Sequence, residues 1–210
     1  MRVIAIDGPA ASGKSSTARE VAGRLGWAHL DSGALYRALT LAALDHVGER
    51  GMGKGERWSA QRILALADEL PVRLVLVGDS FRPEVAGVDV EAAIRTERVT
   101  ARVSELAGLP EVREWVNARQ RRAVGECPRG VVVDGRDIGT VVFPDAPLKV
   151  FLTAAPVARA ERRLAQRGET PDPDQVRREA VALEARDAAD GARPVAPLRP
   201  ASDAVVLDTT

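Results

Sequence analysis

A chain of 210 residues with 45% hydrophobic and 29% charged side chains is long enough to bury a core, and it reads as one domain spanning 1–210 with an insertion rather than as two domains. Its 30 basic and 30 acidic residues cancel, which argues against nucleic acid or a membrane surface as a partner, so any anion it binds is held locally. Cys127 is the only cysteine, which excludes an internal disulfide, and the apolar run from Val3 to Ile6 is too short for a signal peptide or a membrane span; a soluble, cytoplasmic monomer is expected.

Val3 to Asp7 reads as a first strand, and the helix after it runs from Lys14 to Leu25, closed by Gly26. A second strand, Trp27 to Leu30, leads into a helix from Ala34 to Val47 closed by Gly48. Between about 51 and 110 this alternation breaks. A helix from Ala60 to Leu70 is followed by Val72 to Gly78, a Gly78-Asp79 turn, Phe81 to Val85 and Val88 to Val90, a small antiparallel sheet that reads as an insertion. A substrate-covering flap and a stabilising excursion explain it equally well. Helices from Glu97 to Ala107 and from Glu111 to Val124, separated by Gly108 and Pro110, lead to strands at Val131 to Asp134 and Leu148 to Thr153. A helix from Val157 to Arg167 closed by Gly168 and a Pro-rich loop follow. The next helix carries Asp172 as cap, Pro173 at its first position and Gln175 completing a capping box; it reaches Asp190, and Ala204 to Leu207 is the last strand. The pattern predicts an α/β fold, a five-stranded parallel sheet with helices on both faces.

Gly8-Pro9-Ala10-Ala11-Ser12-Gly13-Lys14-Ser15 matches G-x-x-x-x-G-K-[ST] and lies between a predicted strand and a predicted helix, where this motif works. Its glycines let main-chain N–H groups wrap an oxyanion at the positive end of the helix, Lys14 reaches the terminal phosphates, and Ser15 is placed to hold Mg²⁺. ATP or GTP binding by residues 8 to 16, Ser16 included, is therefore expected. Motors, switches and kinases share such a loop, but the guanine-reading Asn-Lys-x-Asp segment of a GTPase switch is absent. Asp134, ending a Walker-B-like strand, admits two roles, beside Mg²⁺ or its waters, or as a cap of the strand.

Arginine dominates the cations, since Lys14, Lys54 and Lys149 are the only lysines. Arg159, Arg163 and Arg167 recur every four residues with Arg162 alongside, a cationic stripe that is either a solvated helix face or part of a lid. Arg186 and Asp190 form an i to i+4 pair, by spacing alone a surface ion pair. His29 and His46 lack partners at zinc or triad spacing, and Trp27, Trp58 and Trp115 are too scattered for a base-stacking platform, so all five read as structural.

Four further segments, with the phosphate loop, resemble the bacterial cytidylate kinases among the nucleoside monophosphate kinases: Leu30 to Arg37, Ile94-Arg95-Thr96 through Arg113-Glu114, Asp134-Gly135-Arg136-Asp137 through Phe143-Pro144, and Val195-Ala196-Pro197-Leu198. The resemblance implies a P-loop kinase with a monophosphate-binding insertion, a short lid at about 157–173, and Mg²⁺-dependent transfer from ATP to CMP and dCMP in pyrimidine nucleotide metabolism. It assigns the acceptor phosphate to Ser32, Arg37, Arg136 and Arg193, the base to Ser104, Arg113 and Asp137, the ribose to Arg186 and Asp190, and the lid side of ATP to Arg159, Arg162 and Arg163. Lys14, Arg136, Arg159 and Arg163 are the residues it implies for catalysis. The family continues past its last strand with a helix, whereas this sequence ends at Thr210.

The chemistry agrees with that assignment. A monophosphate is already largely a dianion at neutral pH and needs no general base, whereas bringing two anions together needs arginines, a lysine and Mg²⁺. The rivals are a P-loop kinase with UMP, AMP or a metabolite hydroxyl as acceptor, and a nucleotide-dependent switch, which would have no use for an acceptor arginine at position 136.

Overall fold

The computed structural model describes residues 2–46, 58–168 and 172–210. Along the chain the strands and helices are β1 (Val3–Asp7), α1 (Lys14–Leu25), β2 (Ala28–Asp31), α2 (Gly33–His46), α3 (Ala60–Glu69), β3 (Val72–Val77), β4 (Ser80–Val85), β5 (Val88–Asp89), α4 (Glu97–Leu106), α5 (Pro110–Glu126), β6 (Val131–Gly135), β7 (Leu148–Thr153), α6 (Pro156–Gln166), α7 (Pro173–Gly191) and β8 (Val205–Asp208). Ala93–Arg95 is a short 3₁₀ turn and Ile138–Val142 a π-type turn that the sequence pattern does not announce. Val47 and Gly48, the expected end of α2, the 51–57 part of the insertion, and 169–171 of the lid lie outside the described residues. The architecture is mixed α/β with a mainly parallel sheet, and the chain divides into two compact units.

The first unit runs through Trp27 and resumes at Gly130. Its strands are ordered β6-β1-β7-β8, all parallel, with Val3 opposite Val131, Ile4 opposite Leu148, and Val150 opposite Val205. A parallel strand inside such a sheet is covered on both faces, and all five residues of β1 are buried. Ala18 and Ala22 of α1 are small enough to seat that helix on Ile4, Ile6, Val132 and Leu152. The capping box at Asp172 forms as the sequence predicts: its carboxylate accepts from Asp174 and Gln175 N–H, and Gln175 Oε1 accepts from Asp172 N–H, which starts α7. Where the chain leaves and re-enters this unit, the Trp27 indole packs on Gly130; a Cβ there would lie 2.3 Å from Trp27 Cδ2.

The second unit, Ala28–Arg129, carries a sheet ordered β3-β4-β2 with β5 on β4. The expected hairpin forms, with Val72 opposite Val85 and Val77 opposite Ser80 around Gly78, whose φ of 63° is the left-handed conformation a tight turn needs. It is not a detached antiparallel sheet, because β2 runs parallel to β4 at His29 opposite Ser80 and His29 N–H donates to Asp79 O at 2.8 Å. Leu35 and Leu39 of α2 build the core with Ile94, Val99, Leu106, Val112 and Val116. Trp58 and Trp115 join it, stacked by Arg102 and Arg119 at 4.8 and 3.4 Å from the ring centroids. Trp27 packs in the first unit's core, so all three indoles take the structural role their scatter predicts. None of the described helices is long and apolar enough to cross a membrane.

Candidate active site

The loop from Gly8 to Ser15 joins β1 to α1, and its path requires glycine at both ends. Gly8 has φ 148° and a Cβ there would sit 2.2 Å from Leu152 O, while Gly13, at φ 86°, caps α1. Ser15 Oγ donates to Asp134 Oδ2 at 2.6 Å, which sets that carboxylate beside the hydroxyl. Two hard oxygen ligands side by side at a phosphate loop fit Mg²⁺, which takes one or two protein oxygens and leaves the rest to phosphates and water. Among the described residues no three His, Cys, Asp or Glu side chains gather into a protein-only metal cage. Ser16 Oγ donates to Gly13 O at 2.8 Å. A cavity of about 540 Å³ opens beside Ser12, Gly13 and Ser16 and is walled by Arg162, Gln166 and Thr209.

Lys14 is buried, its Nζ donating to Pro9 O at 2.6 Å. Burial, aided by the nearby Arg136 charge, pulls its ammonium down to about 7 against the opposing pull of Asp134, Asp7 and Asp187. Arg159, on α6, is also buried; it pairs with Asp187 on α7 and donates to Ala10 O at 3.2 Å. The other Asp187 oxygen accepts from Ala10 N–H at 3.2 Å. Arg162 is tied to Thr209, whose hydroxyl stands 3.0 Å from Ser12 O and 2.9 Å from Thr153 O. Arg163 is half-buried, and Arg167 pairs with Glu179 at 2.9 Å. The stripe at 159, 163 and 167 is thus no uniform solvated face, because its first member points into the phosphate loop.

At the end of β6, Arg136 donates to Gly8 O at 2.6 Å and pairs with Asp190 at 3.1 Å; burial holds its guanidinium below the usual arginine range. Asp190 is buried and its second oxygen pairs with Arg193 at 2.5 Å. The pair expected between Arg186 and Asp190 is not formed, since the carboxylate is taken by those two arginines; among the described residues Arg186 Nε has no hydrogen-bond partner. Asp137 is buried at the entry to the Ile138–Val142 turn. The first unit therefore brings together the loop, Arg136, Asp137, Arg159, Arg162, Asp190 and Arg193.

The remaining predicted residues lie in the second unit. Ser32 is buried and its carbonyl accepts from Gln120 at 2.8 Å. Arg37 donates to Ile94 O at 3.2 Å and to Thr100 Oγ1 at 2.9 Å. Ser104 is half-buried on α4, and Arg113, buried on α5, donates to Ala107 O at 3.1 Å and lies 5.6 Å over the Tyr36 ring. Sequence reasoning missed Asp7, Asp187 and Thr209. Asp7, whose carboxyl burial raises to about 6 despite bonds from Gly139 and Ile138 N–H, had one signal, its place directly before Gly8. Asp187 directly follows a residue already singled out, Arg186.

A family model described as cytidylate kinase matches residues 4–210. Among curated relatives, the cytidylate kinase of Serratia proteamaculans is 44% identical over 208 residues, covering 99% of this chain and 87% of its own. Those of Pseudomonas paraeruginosa and Shigella sonnei are 46% and 44% identical, each covering 99% of this chain and 88% of its own.

Proposed function

The chain belongs to the cytidylate kinase family, and from that premise we propose how its residues transfer the γ-phosphoryl group of ATP to CMP, and to dCMP, giving the diphosphate and ADP. Main-chain N–H groups from Ala10 to Ser15 cradle the ATP phosphates, with Gly8, Pro9 and Ser16 shaping the loop. Lys14 and the lid-side Arg159 and Arg163 stabilise charge on the migrating group, and Arg162 borders the nucleotide cavity. Ser15, with Asp134 behind it, would hold Mg²⁺, which when bound supplies charge neutralisation at the phosphate oxygens. Arg136, Ser32, Arg37 and Arg193 take the acceptor phosphate, Ser104, Arg113 and Asp137 the cytosine, and Asp190 with Arg186 the ribose.

No side chain has to remove a proton, because the acceptor arrives mostly as a dianion. Regions 51–110 and 157–173 serve as monophosphate-binding insertion and lid, and the enzyme works as a cytoplasmic monomer. One observation carries the reading. The acceptor arginine at 136 is hydrogen-bonded to the first residue of the phosphate loop at 2.6 Å, so the two devices for holding phosphate are one bond apart. The test is a coupled ADP-release assay with CMP, dCMP, UMP and AMP as acceptors. CMP and dCMP should lead; a higher kcat/KM for UMP or AMP would overturn the acceptor assignment.

A further inference from the structure

Asp7 is the last residue of β1 and only 5% exposed, yet no role in binding either nucleotide calls for it. Each of its two carboxylate oxygens accepts a main-chain N–H. Oδ1 accepts from Ile138 N–H and Oδ2 from Gly139 N–H, both at 2.8 Å. These are the leading amides of the turn after β6, whose later amides are served from inside, Val142 N–H by Asp137 O at 3.1 Å and Phe143 N–H by Ile138 O at 2.7 Å. The leading amides of such a turn have no internal acceptor. A carboxylate that takes two of them at once fixes the turn in position and in rotation.

Lys149 packs closely on the same turn. A Cβ on Gly139 would lie 3.1 Å from Lys149 Cδ, 3.2 Å from Lys149 Cγ and 3.4 Å from Asp7 Oδ2, and the Lys149 ammonium is held by Asp203 at 2.8 Å. Arg136 and Asp137 immediately precede the clamped amides, and Arg136 also reaches back to Gly8 O, the residue after Asp7. The end of β1 thus grips the segment 136–139 at three points while continuing directly into the phosphate loop.

We propose that Asp7 is a positioning residue that sets where Arg136 and Asp137 stand relative to the phosphate loop, and with it both in-line transfer and the choice of acceptor base. This rests on the roles given above to Arg136 and Asp137. Each carboxylate oxygen accepts from one amide of the turn, so Asp7 acts on Arg136 and Asp137 through the backbone that carries them. Its two hydrogen bonds fall on the acceptor side, at the turn that follows Arg136 and Asp137, whereas the ATP cradle is built from the loop's own amides.

The experiment compares wild type with Asp7→Asn, which keeps the shape but offers one acceptor and turns an NH₂ toward the other amide. Displacement of reacting groups by about 1 Å is worth on the order of a hundredfold. We expect kcat/KM for CMP to fall about 10- to 100-fold, the CMP to UMP preference to narrow, and the dissociation constant of a non-hydrolysable ATP analogue to stay within about threefold. The change in preference should not add to that of Asp137→Asn, since both act on the same group. Equal losses for ATP analogue and CMP, or an unchanged CMP to UMP ratio, would show Asp7 to be a structural residue only. If Asp7→Asn does not fold, Gly139→Ala presses the same turn from the Lys149 side and should give the same signature at smaller amplitude, an unchanged ratio again overturning the proposal. A wild-type enzyme that ignores CMP would refute the acceptor reading instead, and the acceptor it does use then replaces CMP in the same comparison.

Discussion

Lys14 should take up a proton when ATP binds. In the nucleotide-free protein, burial and the Arg136 charge hold its ammonium near 7, while an unfolded lysine titrates near 10.5. At pH 8 such a group is only about one-tenth charged, and an arriving tetraanion restores the charge, so binding should draw about 0.9 proton per ATP at pH 8. The terminal phosphate itself titrates near 6 and is silent at that pH. Isothermal titration in two buffers of different ionisation enthalpy measures the uptake directly, with Lys14→Met as control. Uptake below about 0.3 proton at pH 8, or equal uptake by the control, would refute the reasoning. The same group sets a trend in stability. Between about 7 and 10.5 the unfolded chain holds the proton and the folded one does not, so the contribution of Lys14 to stability rises with pH across that window; below it, burying the charge costs on the order of 5 kcal/mol. Nucleotide phosphates offset this cost, and Lys14→Ala should lower turnover at least about a hundredfold with the fold intact.

Gly8→Ala places a methyl against the main-chain oxygen of Leu152, which cannot swing aside, and should cost at least about a hundredfold in ATP-dependent turnover as well as thermal stability, read by coupled assay and melting. Asp187→Asn leaves the buried Arg159 without its counter-charge; the nucleotide-free protein should melt at least about 5 °C lower, and a saturating ATP analogue should recover part of the loss by supplying an anion. A loss that ATP analogue leaves unchanged would show that Arg159 does not meet phosphate. Asp190→Ala should reduce kcat/KM for CMP more than for dCMP if its carboxylate meets the 2′-hydroxyl, whereas equal losses mean that it acts only through Arg136 and Arg193.

What could be read from sequence was what is local. The loop from Gly8 to Ser15, the helix Lys14–Leu25 and the Asp172 capping box depend on residues within a few positions of one another, and each forms where predicted. The hairpin around Gly78 is legible for the same reason, but its parallel partner β2 is not, because nothing in His29 or Ser80 announces a pairing across so much chain. The partners of buried charges were equally hidden. Spacing suggested Arg186 for Asp190, yet a carboxylate enclosed by the fold pairs with whichever cations are packed beside it, and those are Arg136 and Arg193. Asp7 escaped because its partners, the N–H groups of Ile138 and Gly139, are main-chain amides that carry no side-chain signature, and Asp187 because its charged partner, Arg159, stands 28 residues away on another helix and its other partner, Ala10, is an amide of the loop.

The contact between Trp27 and Gly130 bears on how this chain folds. Before β1 can lie against β6, with Val3 opposite Val131, the polypeptide must close a loop containing all of Ala28–Arg129. The entropy of closing a flexible loop grows only slowly with its length, but non-local pairing of this kind sets the slow step in folding. If the intervening stretch collapses first around Leu35, Ile94 and Val112, the floppy segment to be closed becomes shorter, and the indole on Gly130 is the seam where closure is sealed. On that order of events, substitutions in the inner stretch should change an early compaction and those at the seam the rate at which the first unit is completed, which folding kinetics of the two sets of variants would separate.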